Sequence, residues 1–240
     1  MHISCTKRPG GIELSKRVFL VLLALSLLAG VAYAQPEETG QIFSLGDYQG
    51  DSFGPGNYTY PGDQSFPQEL PDMLDLVEFR VVNKDKTTRF EFHFAQPPNL
   101  AQPWGGEGYN FHRIDLYIAR GGKGSKTTFA PGAQVQFKEL WQINLRIRDW
   151  QGAYLRHWQD DSADPQAGIW QGDTEEFQVF VEGRSIVAEL GHNILEPAAA
   201  DWQYYVLIGL QDAYGPDHYR KVAAEGGPWT GGGGSETEFS

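Results

Sequence analysis

The side chains best suited to chemistry lie in one irregular stretch, "GDYQGDSFGPGNYTYP", residues 46 to 61. Asp47 and Asp51 flank a turn containing Gly50, Ser52 follows directly, and a further carboxylate, Asp75, opens the first clear strand. Carboxylates, hydroxyls and turn carbonyls are hard oxygen donors, which calcium takes at roughly six to eight per ion. Glycine lets the backbone bend such carbonyls toward a common point. The same residues would also make an ordinary solvated acidic turn, so both readings stand on spacing alone. An EF-hand is excluded, because the glutamate at the end of its loop and the flanking helices are missing.

Aromatic residues form a second group. Trp104, Tyr109, Trp141, Trp150, Tyr154, Trp158, Trp170 and Trp229 fall mostly at turns or strand ends. An aromatic face can stack on a sugar ring while neighbouring Gln, Asn and Asp bond its hydroxyls. Trp104, in "NLAQPWGGEGYNF", and Tyr109 lead this set, Trp150 and Trp158 follow, and Trp141 reads as core. Catalytic motifs are missing: no H-E-x-x-H, G-x-S-x-G or G-x-x-x-x-G-K-[ST] occurs. His93, His112, His157, His192 and His218 are scattered, with none at zinc-ligand spacing, and His93 alternates onto an outward face. Acidic residues are plentiful, yet nothing singles out a pair for glycoside hydrolysis. The expectation is a protein that binds rather than catalyses.

The elements that must position these residues alternate with period two. Val77, Phe79 and Val81 alternate with Glu78 and Arg80, and Phe90, Phe92 and Phe94 alternate with Arg89, Glu91 and His93, across the turn "NKDKT". Similar runs follow at Ile114 to Ile118, Ile143 to Ile147, Phe177 to Val181 and Ile186 to Leu190. Tyr204 to Gln211, "YYVLIGLQ", is apolar on both faces, as for a central strand covered on each side. No helical period exceeds about two turns. Strands separated by Gly-, Pro- and Asn-rich turns, with no interleaved helices, indicate an all-β fold, an antiparallel β-sandwich.

The two ends read differently from the middle. Lys7, Arg8, Lys16 and Arg17 precede the apolar run Val18 to Ala34, which closes on Ala32-Tyr33-Ala34. That is the pattern of a secretory signal cut before Gln35, and the run is shorter than the roughly 20 residues of a membrane span. Its removal takes four basic residues and one acidic one from totals of 19 and 31, leaving 15 against 30 and a net charge of −15. Such a surface repels nucleic acid and anionic membranes. The only cysteine, Cys5, leaves with the signal, so the rest has no disulfide and no thiolate site. The expected organisation is signal 1–34, lead-in 35–45, sandwich 46–225 and a flexible glycine-rich tail 226–240, with "QDDSADPQAGIWQG" as a long surface loop.

The order of features resembles the glucodextranase C-terminal domain family, DOMON-like β-sandwich modules of secreted glucan-active enzymes, akin to carbohydrate-binding jelly rolls. The resemblance runs through Asp47, Gly50, Asp51, Gly54, Pro55, Gly56, Tyr58, Tyr60 and Pro61 in the opening loop. It continues through "LDLVEFRV", "NLAQPWGGEGYNF" and "IDLYI" to Gln211, Asp212, Gly215 and Arg220. It implies a non-catalytic module whose acidic loop holds calcium. Ser52 stands where the family usually carries a second aspartate, which removes one charge from that site. DOMON haem domains use a methionine and a histidine as axial ligands; beyond residue 34 this chain has only Met73.

These readings converge on a secreted module, extracellular or periplasmic, that binds α-glucan or a cell-envelope polysaccharide. Asp47, Asp51 and Asp75 would supply charge to a structural calcium ion, with Asp212 as a fourth ligand. Trp104 and Tyr109, then Trp150 and Trp158, would stack on sugar, and the partners would be a cell-surface glycan together with a glucan-active enzyme or surface-layer protein. The competing reading is an envelope or surface-layer structural protein with no sugar site, its aromatics all in the core.

Overall fold

The computed structural model describes residues 40–53, 58–100, 109–129, 132–133, 135–148, 152–158, 169–171, 174–212, 214 and 218–234. Twelve strands and one short helix are arranged among them: β1 (Gln41–Gly46), α1 (Leu70–Leu74), β2 (Leu76–Asn83), β3 (Thr87–Phe94), β4 (His112–Ala119), β5 (Ser125–Thr127), β6 (Gln136–Trp141), β7 (Ile143–Arg148), β8 (Tyr154–His157), β9 (Ile169–Gln171), β10 (Phe177–Glu182), β11 (Ser185–Gly191) and β12 (Gln203–Leu210). One five-stranded sheet runs β1-β2-β3-β11-β10 and the other β12-β4-β7-β8-β9, with β5 and β6 forming a separate ribbon. Every strand pairing is antiparallel. No helix among the described residues is long and apolar enough to cross a membrane.

Alternation builds the interior. Phe79, Val81, Phe90, Phe92 and Phe94 of the first sheet meet Ile114, Leu116, Ile118, Ile143, Leu145 and Ile147 of the second in one buried cluster. Burying each such side chain stabilises the fold by about 1.5–3 kcal/mol. A smaller cluster under α1 joins Phe66, Leu70, Met73 and Leu74 to Phe111 and Leu210. His112 lies fully buried beside it, its Nε2–H donating to the Met73 carbonyl at 2.7 Å.

The outer faces differ. On the first sheet, charged residues form a ladder, with Arg80 to Glu78 at 2.7 Å and Arg89 to Glu91 at 3.2 Å. His93 faces outward there, as expected, between Glu91 at 3.3 Å and Ser185 at 2.6 Å. On the second sheet the outward positions of β4 are fully buried: Arg113, Asp115 and Tyr117 are each 0% exposed. Tyr117 packs with Phe137 and Trp141 of β6, joined by half-buried Phe129, Trp158, Tyr205 and Leu207. Trp141 is thus core, but in this outer layer.

Several sequence expectations change. Tyr204 to Leu210 is an edge strand, not a central one; its apolarity arises because the main core covers Tyr204, Val206 and Ile208 while the outer cluster covers Tyr205 and Leu207. The end of the lead-in is strand β1, paired with β2. Ile169–Gln171, placed in a surface loop by composition, pairs with β8. Gly226 to Gly234 is not a free tail: Thr59 and Gly232 exchange backbone hydrogen bonds of 3.0 and 2.9 Å, Gly62 N donates to Gly227 O and Asp63 N to Pro228 O. The glycines permit this closeness, since a Cβ on Gly231 would meet the Tyr58 ring at 2.8 Å and one on Gly232 would meet Gly226 N at 2.6 Å.

Candidate functional site

The opening loop leaves β1 by extending its ladder one step, Asp47 N donating to Val77 O at 2.8 Å. Gly50, at φ +95°, then turns the chain back so that its N–H donates to Asp75 Oδ2 at 2.7 Å. That φ lies in the left-handed region, which other residues enter at a cost. Further on, the Tyr60 hydroxyl donates to Ser52 O at 3.0 Å, and Phe53, Tyr60 and Tyr58 stack edge to face with centroids 5.6 and 4.9 Å apart. The loop is therefore held by its aromatics as much as by its glycines.

Between this loop, β12 and the closing segment opens a cleft of about 750 Å³. One wall is acidic and aromatic, with Asp47, Asp51, Asp75, Phe53, Tyr58 and Tyr60; the opposite wall is Val206, Ile208, Tyr219, Arg220 and Val222. The volume is within the range of small-ligand sites. Tyr48 and Phe53 are 78% and 45% exposed, as Trp229 of the closing segment is at 45%. Arg220 ties that segment down: it pairs with Asp212 at 3.3 Å, donates to Gln211 O at 3.2 Å and lies over the Phe66 and Trp229 rings.

Asp75 dominates the electrostatics of the cleft. It is 1% exposed, and its Oδ1 is buried with no hydrogen-bond partner. Burial raises its carboxyl above the usual carboxylate range and the Asp51 and Asp72 carboxylates add to this, against the Gly50 N–H. The Tyr60 hydroxyl is pushed up to about 12, chiefly by burial. An orphaned carboxylate oxygen beside a second carboxylate fits a cation. Of the four expected ligands, Asp47, Asp51 and Asp75 line the cleft, although Asp47 Oδ1 accepts the Tyr48 N–H at 2.9 Å. Asp212 is not part of the lining and faces Arg220. No three carboxylate, imidazole or thiolate groups converge among the described residues, so backbone carbonyls and hydroxyls such as Ser52 would have to complete a coordination sphere.

Residues 42–240 match the family Glucodextran_C, described as the C-terminal binding-module, SLH-like, of glucodextranase. The chain belongs to this family. The Glucodextran_C match starts within β1 and takes in the glycine-rich closing segment, in accord with the hydrogen bonds that join that segment to the opening loop. A search of curated proteins finds no match.

The expected sugar-stacking residues separate. Trp104 and Trp150 lie outside the described residues. Tyr109 is corrected: it is 4% exposed within the main core, so its ring has no face to offer. Trp158 is half-buried against the outer cluster, and its backbone N–H donates to Gln142 O at 2.7 Å. Sequence reasoning passed over Tyr48 and Phe53, because they sat in a loop read for its oxygens. Their signal was an aromatic placed between turn residues, where no strand could bury it.

Proposed function

We propose that this Glucodextran_C chain is a non-catalytic carbohydrate-binding module whose recognition surface is the cleft beside the opening loop. The observation that carries the proposal is a ligand-sized cleft lined by exposed Phe53 and by carboxylates, with exposed Tyr48 next to Asp47 in the chain, in a binding-module family. The rings would stack on sugar faces, and Asp47, Asp51 and Arg220 would bond hydroxyls. Trp104 and Trp150, outside the described residues, remain candidates for stacking on sugar. A neutral polysaccharide, α-glucan or envelope glycan, is the expected ligand. The signal pattern at 1–34 and the SLH-like character of the family support a secreted, surface-associated setting.

Calcium has a role in this reading as a staple rather than a reactant. Asp75 and Asp51, with Asp47 at the rim, would hold it, and it would supply the positive charge that the buried carboxylate lacks. Pull-down on insoluble starch, dextran and purified cell wall tests the function. Retention that is lost in Tyr48→Ala/Phe53→Ala or Trp104→Ala supports it, and absence of retention on all three matrices refutes it.

A further inference from the structure

The outer face of the second sheet carries a charge imbalance that meets the cleft at Tyr219. β4 and β7 place Arg113 directly across from Arg148 and Asp115 across from Arg146, and β8 sets Arg156 across from Asn144. Asp115 already has its full set of partners. Its Oδ1 accepts from Arg146 Nε at 2.6 Å and Asn144 Nδ2 at 3.4 Å, and its Oδ2 accepts from Arg113 Nε at 3.0 Å and the Tyr219 hydroxyl at 2.9 Å. Arg146 also donates to Phe129 O at 2.8 Å. Neither Arg148 nor Arg156 pairs with a carboxylate among the described residues. Arg148 is half-buried over the Tyr154 ring at 4.9 Å, with its Nε buried and unbonded. Arg156 lies over Phe129 at 3.8 Å. Burial lowers the basicity of both; at Arg148 the Tyr154 hydroxyl opposes this while Arg113 and then Arg146 add to it, and at Arg156 Arg146 adds to it.

Among the described residues this face thus sets four guanidiniums against one carboxylate, Asp115, which pairs with Arg113 and Arg146 and with neither Arg148 nor Arg156, in a chain whose net charge is −12. Like charges directly opposed on neighbouring strands destabilise a sheet, and a partly buried cation without a counter-ion costs more. From this cluster we infer a second binding site, one for the oxyanions of an acidic polysaccharide, with Arg148 and Arg156 as the anion-holding residues and Tyr154 and Phe129 as flanking rings. Arg113 and Arg146, fixed by Asp115, supply the field behind it. Guanidinium forks match carboxylate and sulfate geometry. Arg156 is opposite Asn144, four register steps from Arg148, so the two side chains leave the backbone about 13 Å apart along the strands, an extended arrangement suited to a ligand with repeated anions. A chain bearing repeated anions can reach both positions. The inference rests on the carbohydrate reading, but it adds acidic sugars at Arg148 and Arg156, neither of which lines the cleft.

The test is calorimetric titration with an oligogalacturonate, its carboxyl-reduced neutral counterpart and inorganic sulfate, at physiological salt. Wild type should bind the acidic oligomer, and Arg148→Gln/Arg156→Gln should bind it at least tenfold more weakly while neutral glucan is still retained at the cleft. Arg156→Gln alone, at a half-buried position, serves if the double variant does not fold, and should show a severalfold loss. Equal affinity in wild type and variant overturns the inference, as does absence of acidic-oligomer binding while neutral glucan is retained. Sulfate binding as tight as the oligomer's overturns the polymer assignment. Failure to retain any glycan, neutral or acidic, removes the functional reading itself.

Discussion

Gly50 and Asp75, 25 residues apart in sequence, are joined by a 2.7 Å hydrogen bond that closes the opening loop onto the start of β2. The bond depends on a backbone conformation, φ +95° at Gly50, and a Cβ there would meet nothing within 4 Å. Gly50→Ala should therefore incur only the left-handed penalty, about 1–2 kcal/mol. For a domain of this size that lowers the melting temperature by about 2–8 °C. Thermal unfolding followed by circular dichroism checks it; an unchanged melt would show that the loop does not depend on this turn.

Asp75 sets a pH dependence with a definite sign. Its folded carboxyl titrates above the ordinary 3.8, so its contribution to stability is complete below 3.8 and is lost as pH rises through the folded value. In EDTA, Asp75→Asn should flatten that loss and match or exceed wild-type stability at neutral pH. Leaving a buried oxygen unsatisfied costs about 1–3 kcal/mol. Calcium should reverse the order, raising the wild-type melting temperature and leaving Asp75→Asn unmoved. Melting curves across pH, with EDTA and with calcium, test both parts, and an identical response of the two proteins to calcium excludes Asp75 as a ligand.

Deleting residues 226–240 should destabilise the domain. The deletion removes backbone bonds to Thr59, Gly62 and Asp63 and the edge-to-face contact of Trp229 with Phe66 at 5.3 Å. A loss of about 2–4 kcal/mol is expected from hydrogen bonds of this kind. A denaturant titration that gives the same midpoint for both forms would mean that the segment is dispensable.

Asp115 is the most sensitive single charge of the second sheet. Removing its charge takes from Arg113 and Arg146, 0% and 4% exposed, the carboxylate that pairs with both. Asp115→Asn should cost about 3–5 kcal/mol, the scale of a broken buried ion pair. Urea unfolding measures it, and a cost within experimental error would mean that the network is not structurally required.

The strands that were legible in the sequence are those whose alternation is clean: β2, β3, β4, β7, β10 and β11. Short strands such as β5 and β9, of three residues each, leave no period to detect. The alternation at Ile114 to Ile118 does not say whether Arg113 and Asp115 between them meet water or a buried partner, because a charge looks the same in either place; Asp115 is interior, bonded to Tyr219. The closing segment was illegible for a related reason. Glycine-rich sequence signals freedom, and its hydrogen bonds to residues 59–63 are made by backbone, which carries no side-chain signature.

For the site, the oxygens of the opening loop were visible and the aromatic rim was not. Asp47, Asp51 and Asp75 stand around one cleft because Gly50 turns the loop onto Asp75, an inference that residue types supported. Tyr109 misled because it follows a glycine-rich stretch that looks exposed, whereas the chain enters β4 immediately afterward and carries its ring into the core.

The central claim is that the cleft binds sugar through its lining residue Phe53, helped by the exposed Tyr48 that follows Asp47. Titration of wild type and Tyr48→Ala/Phe53→Ala with a soluble oligosaccharide of the retained glycan tests it most directly. Losing two aromatic contacts, each worth about 0.5–1.5 kcal/mol, predicts a dissociation constant about tenfold weaker with the fold intact. Equal affinity in the two proteins would contradict the assignment of the cleft.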